Sequence, residues 1–173
     1  MGKLQIVSYP DPVLRRPTAP VPLDEPGLAD LIDAMFETMY AADGVGLAAN
    51  QVGLGKRLAV IDCGGGRDER EKLVLINPEL LWIDGEAEEP EGCLSLPGLR
   101  SKPKRGARAR VRAWGLDGKP FEVEGDGLLG KALQHELDHL DGKLFIDRLS
   151  LAQQALVSGQ LKAFRQRAKA ARR

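Results

Sequence analysis

Histidine occurs only twice and cysteine only twice, as Cys63 and Cys93, in a chain of 173 residues. So few thiols exclude the disulfide framework that staples small secreted domains. The two could pair in principle, but no secretory signal accompanies them and they are expected to stay reduced. The opening Met1-Gly2-Lys3-Leu4-Gln5-Ile6 lacks an apolar h-region, and it lacks the Ser or Thr that a myristoylation signal wants at its sixth position. No stretch approaches the roughly 20 apolar residues of a membrane span, so no membrane partner is expected. The chain therefore reads as cytoplasmic. Net charge is also lacking: 25 acidic residues balance 25 basic ones, so the whole molecule has no polyelectrolyte character.

What is there is ordinary for a soluble domain, with 43% hydrophobic and 29% charged residues. The length suits one domain spanning 1–173, and a domain near this size hides about two-thirds of its extended surface. Prolines concentrate between residues 8 and 26, which predicts an irregular, extended wrap. From Leu28 to Tyr40 the period changes. Leu28, Leu31, Ile32, Met35, Phe36 and Met39 share one helical face, as in a core-packing helix.

Strand-like runs follow at Leu58–Ile61 and Leu73–Ile76, with another expected at Leu80–Ile83. Arg108–Trp114 alternates basic and small apolar residues, the pattern of a half-exposed strand. Asp117-Gly118 is a hairpin turn signal leading to Phe121-Glu122-Val123. A second helix should start near Gly127 and stop at Gly142, and a third should span about Ser150 to Ala171 with Ser150 as N-cap. There is no internal repeat and no interdomain linker. The expected fold is α+β: a single domain of largely antiparallel sheets around the helix that carries both histidines, with a C-terminal helix over 150–173.

The chemistry concentrates in three places. His135-Glu136-Leu137-Asp138-His139 sets both histidines one turn apart on one helical face, where both imidazoles reach one metal ion with a glutamate beside it. A catalytic tetrahedral ion takes three protein ligands and keeps one position open, and no third histidine exists. Cys93 is the candidate third ligand. It lies in Glu91-Gly92-Cys93-Leu94-Ser95, where the glycine and nearby prolines suggest an irregular turn with backbone groups free to face a ligand. Cys63, beside its strand, reads as a buried structural thiol. The third place, Gly44-Val45-Gly46-Leu47-Ala48-Ala49-Asn50-Gln51, lacks the lysine of a phosphate loop and the third glycine of a dinucleotide loop. A small loop that pairs with a peptide backbone fits it better.

These three segments, in this order, resemble the GxGLAAxQ, EGCLS and HExDH motifs of the peptide deformylases. The resemblance extends over the proline-rich start and Gly142-Lys143-Leu144-Phe145, and so spans nearly the whole chain. It implies removal of the formyl group from the N-terminal methionine of new polypeptides, with release of formate. It implies Cys93, His135 and His139 as metal ligands and Glu136 as the proton acceptor for the attacking water. The backbone N–H of Leu94 and the side-chain amide of Gln51 are then the oxyanion donors. Ligand type alone suggests zinc, whereas the resemblance implies Fe2+, with Zn2+, Ni2+ or Co2+ able to substitute. A thiolate-ligated ferrous site should be oxygen-sensitive.

The implied substrate, an N-formylmethionyl peptide or nascent chain, lies extended between Val45-Gly46 and the segment at Gly92, bonding as an added strand. Leu128, Lys131, Ala132 and His135 share one helical face that forms the methionine pocket, closed by Val45. Lys131 and Glu89 depart from the family pattern, which has apolar residues there; both are expected to keep their charges at the rim while their stems cover apolar surface. Arg100 is read as holding the substrate, against the alternative of a solvated charge within the basic run 100–112.

After Asp147 no acidic residue occurs, yet seven basic ones follow, Arg148 to Arg173. A solvated helix with a basic end is one reading; docking onto ribosomal RNA is the other. The chain is expected to be a monomer. Two rival functions remain, a zincin-type endopeptidase and a ribosome- or RNA-binding module with a structural metal. A thiolate third ligand argues against the first, and the lack of a fourth ligand argues against the second.

Overall fold

A computed structural model describes residues 2–173. Its elements are α1 (Leu28–Ala41), β1 (Gly46–Ala48), β2 (Leu58–Asp62), β3 (Lys72–Asp84), β4 (Ala87–Glu88), β5 (Glu91–Cys93), β6 (Leu96–Ser101), β7 (Lys104–Arg105), β8 (Arg108–Trp114), β9 (Pro120–Asp126), α2 (Gly127–Leu140) and α3 (Leu151–Ala171). The fold is α+β with antiparallel pairing throughout these strands: a five-stranded sheet in the order β1-β2-β3-β8-β9, and the two-stranded pairs β4-β7 and β5-β6. Among the described residues, no helix is long and apolar enough to cross a membrane.

The apolar face predicted for the first helix is buried. Leu31, Ile32, Met35, Phe36 and Met39 pack with Leu47, Leu58, Val60 and Ile76 of the sheet. Each such fully buried side chain contributes about 1.5–3 kcal/mol relative to exposure. α2 lies across β1, β2, β8 and β9, and from Ala132 to Leu140 every residue is buried. It ends where expected, because Gly142 takes a positive φ of 74° and a Cβ there would sit 2.7 Å from the Arg15 carbonyl oxygen. α3 begins on a Ser150 capping box and buries only Val157 and Phe164.

The structure corrects three expectations. Leu73–Ile76 and Leu80–Ile83 belong to one strand, β3. Pro78 does not break it, since the pairing with β8 shifts register between Ile76 and Glu79. Asn77 bridges the interruption by accepting from the Val21 N–H and donating to the Val21 carbonyl. The segment around Cys93 is a hairpin, β5-β6, with Leu94 and Ser95 at its turn and a register shift beside Cys93. Gly46–Ala48, expected as a loop, is the edge strand β1, followed by a 3-10 turn over Ala49–Val52.

Candidate active site and metal centre

The proline-rich wrap ties together the three segments that carry the chemistry. The Val7 N–H donates to the Gln51 carbonyl (2.8 Å), the Tyr9 N–H to the Ser95 carbonyl (2.9 Å), and the Thr18 N–H to the Leu140 carbonyl at the end of α2 (2.9 Å). One backbone strap thus fixes the β1 segment, the Cys93 hairpin and the histidine helix relative to one another. Asn50 adds a direct link, donating to the His139 carbonyl at 2.5 Å.

Cys93, His135 and His139 converge, with their donor atoms within 4.8 Å of one another. His139 Nε2 lies 3.3 Å from Cys93 Sγ and 3.0 Å from His135 Nε2. A tetrahedral ion at ordinary Zn–N and Zn–S bond lengths holds its ligands roughly 3.3–3.6 Å apart, so the spread of these donors suits one divalent cation. The electrostatics agree. Burial would lower His135, yet its contacts with Cys93 and Glu91 raise it well above the ordinary histidine value. Burial and the charge on His135 push His139 well below it. A cation held by Cys93 Sγ and the two Nε2 atoms would take the place of the proton that His135 otherwise keeps.

The ligands are held from behind by charges that local sequence pattern does not reveal. His135 Nδ1 donates to Glu91 Oε1, which leaves Nε2 facing the other two ligands. Glu91 receives Arg105 in a bidentate pair at 2.6 and 2.9 Å. Burial alone would raise Glu91; Arg105 and His135 outweigh it and hold the carboxylate down at about 2. Arg105 continues to Asp138 at 2.9 Å, and Asp138 also accepts from Arg148 at 2.8 Å. The pairs run His135–Glu91–Arg105–Asp138 in the interior and end on the exposed Arg148.

Glu136 projects from the same helix against β1. A Cβ on Gly46 would lie 2.3 Å from its Oε1, so only glycine at 46 leaves room for the carboxylate. Its Oε2 is buried without a hydrogen-bond partner. Burial is the largest influence on Glu136 and pushes its carboxyl up to about 7, against the opposing charge of His135. Gln51 lies across from it. The Ala48 N–H donates to Gln51 Oε1 at 3.0 Å, which turns Nε2 toward Ser95 Oγ (3.2 Å) and Cys93 Sγ (3.6 Å).

The comparisons with known proteins agree with this geometry. Residues 3–155 match the family described as polypeptide deformylase. The peptide deformylase of Acidobacterium capsulatum is 53% identical over 152 residues, which cover 88% of this chain and 89% of that protein. That of Chromobacterium violaceum is 49% identical over 162 residues, 94% of this chain and 96% of that one. The crystal structure of a peptide deformylase from Legionella pneumophila superposes with a TM-score of 0.87 at 43% identity, covering 97% of this chain and 98% of that chain.

The chain belongs to the polypeptide deformylase family.

Cys93 and His135 of the deformylase cluster open onto a groove of about 640 Å³. Val45, Gly46, Gln51, Gly92, Cys93, Leu94, Arg100, Leu128, Ala132, His135 and Glu136 all line it, so the structure brings together the residues expected to bind substrate. Leu128 is 43% exposed, which places it at the mouth. Arg100 pairs with Gly92 across the hairpin, and its guanidinium nitrogen lies 3.3 Å from where a Gly92 Cβ would sit. Two expectations need correcting. Glu89 is absent from the groove lining and borders a neighbouring cavity instead, because Pro90 takes the wall position. Cys63 is half-buried at the margin of the core cluster that contains Ile61, Leu75 and Leu133 rather than fully enclosed; burial raises its thiol. It does not join the metal-ligating cluster.

Sequence reasoning missed Arg105 and Arg148, and gave no role to Glu91 or Asp138. A signal existed: Glu91 and Asp138 sit inside the cysteine and histidine motifs, and carboxylates buried there demand cationic partners.

Proposed function

We propose that this chain hydrolyses N-terminal formyl groups through Cys93, His135, His139, Glu136, Gln51 and Leu94. The deformylase is a metal-dependent hydrolase that removes the N-terminal formyl group from nascent polypeptides. The observation that carries the residue assignment is Glu136: a buried carboxylate with an unpartnered oxygen, beside a three-donor metal cluster, in a groove open to an extended peptide.

Cys93, His135 and His139 would hold the metal, which when bound would supply the Lewis acidity that activates water near neutral pH. Glu136 takes one proton from the attacking water. Gln51 Nε2, its orientation set by the Ala48 N–H, and the backbone N–H of Leu94 donate to the oxygen that becomes negative as the formyl carbon turns tetrahedral. Glu136 then gives its proton to the leaving amine nitrogen as the C–N bond breaks. Water and formyl amide become formate and a free methionyl N-terminus. Val45, Gly46 and Gly92 offer backbone to the substrate from both sides of the groove, and Leu128, Ala132 and Val45 receive the methionine side chain. Arg100, above Gly92, meets the substrate further along.

Fe2+ is the metal implied by family resemblance, with Zn2+, Ni2+ or Co2+ as substitutes; the Cys93 thiolate supports a soft borderline ion. The chain acts in the cytoplasm, and it acts as a monomer, the second reading being supported by the acidic residues Glu122, Glu124 and Asp126 along the sheet edge at β9. The ribosome is a partner through α3, whose Lys162, Arg167 and Lys169 are exposed. Deleting α3 would uncover Tyr9 and Leu14, which pack with Val157 and Phe164, so charge reversal at Lys162, Lys169 and Arg172 is the better test. Sedimentation with ribosomes should fall in that variant and weaken with salt; unchanged sedimentation would reduce the helix to structure.

A formyl-Met tripeptide and an internal peptide separate this reading from endopeptidase action. Formate release from the first, with the second left intact, is expected. Cleavage of the internal peptide without formate release would replace the reading.

A further inference from the structure

A cavity of about 430 Å³ lies directly beside the substrate groove, lined by Glu89, Pro103, Arg105, Ala107, Arg108 and Asp126. Two residues line both spaces, Glu91 and Lys131. They hold the boundary in different ways. Glu91 is clamped by the bidentate Arg105 pair and by His135, so its position is fixed by the metal centre's own support. Lys131 is not clamped. Its single recorded bond is Nζ to the Pro90 carbonyl at 3.0 Å, from α2 across to the strand side of the groove. Among the described residues it makes no ion pair, although Glu89 lines the same neighbouring cavity.

Lys131 also shares a helical face with Leu128 and His135, the face that forms the methionine pocket. Its aliphatic stem is therefore pocket wall, and its ammonium is the fastener that pins the wall to Pro90. Lysine suits this because a flexible four-carbon stem carries a charge that can stay at a wet rim while the stem covers apolar surface.

We propose that Lys131 is a specificity-determining partition: its stem and its bond to Pro90 close the methionine pocket against the neighbouring cavity and limit how long a first side chain the enzyme accepts. This rests on the deformylase reading of the groove. Without the stem, the pocket wall opens into the second cavity, whose near side stays bounded by the fixed Glu91. A straight first side chain longer than methionine then has somewhere to go.

The test compares formyl-Met-Ala-Ser with formyl-2-aminooctanoyl-Ala-Ser, whose straight apolar side chain is longer than methionine's by an ethylene unit. Formate release gives kcat/KM for each. In wild type the longer substrate should be worse by roughly tenfold or more, the scale at which a closed pocket discriminates a methylene step. In Lys131→Ala that ratio should shrink to within about threefold, most of the recovery coming through KM. Lys131→Met, which keeps a long stem without the fastener, should fall between. The ratio is internal to each variant, so general loss of activity does not mimic the effect. A ratio unchanged in both variants, with formyl-Met still hydrolysed, overturns the partition and leaves the deformylase reading standing. Wild type that releases no formate from formyl-Met-Ala-Ser overturns both.

Discussion

The Glu136 carboxylate occupies the space that any side chain at Gly46 would need: a Cβ there would lie 2.3 Å from Oε1 and 2.8 Å from the carboxyl carbon. The two residues come from different elements, α2 and the edge strand β1, so the glycine of one motif exists to admit the glutamate of another. Gly46→Ala should push the carboxylate aside without unfolding the protein. Displacement on the ångström scale costs about a hundredfold in rate, so kcat for formate release should drop by that order while bound metal is retained. Near-normal kcat would mean that Glu136 does not act from this position.

Glu91 orients His135 and is itself set by Arg105. Groups that hold a ligating imidazole typically matter about 10–100-fold in metal affinity, and Glu91→Gln should weaken metal binding by that amount. Arg105→Leu should be worse for folding, because it leaves buried Glu91 with only His135 and buried Asp138 with only Arg148, at a cost of about 3 kcal/mol. Competition with a chelator measures the first effect and urea denaturation the second. If both variants match wild type, the buried charge sequence has no supporting role.

Much of this site can be read in the sequence and part of it cannot, for physical reasons. Leu28–Met39 and His135–His139 are legible because helical period and ligand spacing are local properties. Arg108–Trp114 and the Asp117-Gly118 turn are legible because alternation and turn chemistry are local too. β3 was not legible as one strand, since Pro78 normally breaks a ladder; here a register shift absorbs it, and Asn77 reaches the Val21 backbone far away in sequence. The Glu91–Arg105–Asp138–Arg148 pairs join residues from four separate segments, and nothing in any one segment names its partner.

The two cysteines should behave differently. Cys93→Ala removes one of three clustered donors and should abolish stoichiometric metal. Cys63→Ala sits half-buried outside that cluster and should cost about 1 kcal/mol of packing or less, with metal content intact. Metal analysis of both purified variants decides this; equal loss in both would place Cys63 in the site.

Asp62 gives the fold an acid-sensitive point away from the metal. It is fully buried at the end of β2, and burial alone would raise its carboxyl. The Tyr40 hydroxyl and the backbone N–H groups of Gly64 and Gly66, both at 2.8 Å, outweigh that and hold it below the usual carboxylate value. A depressed folded pKa contributes stability that is complete above the unfolded value of about 3.9 and is lost as pH falls through the folded one. Asp62→Asn should therefore destabilise at pH 7, and its deficit should narrow below about pH 4. Urea midpoints from pH 3 to 7 test this, and a deficit independent of pH would contradict it.

The most direct test of the whole account is formate release from formyl-Met-Ala-Ser by anaerobically purified wild type and Glu136→Gln, each with its metal content measured. Equal metal in both proteins is expected, with activity in wild type and a loss of about 10²–10⁴-fold in the variant, because the ligands survive while the proton acceptor does not. Activity within roughly tenfold of wild type at equal metal content would contradict it.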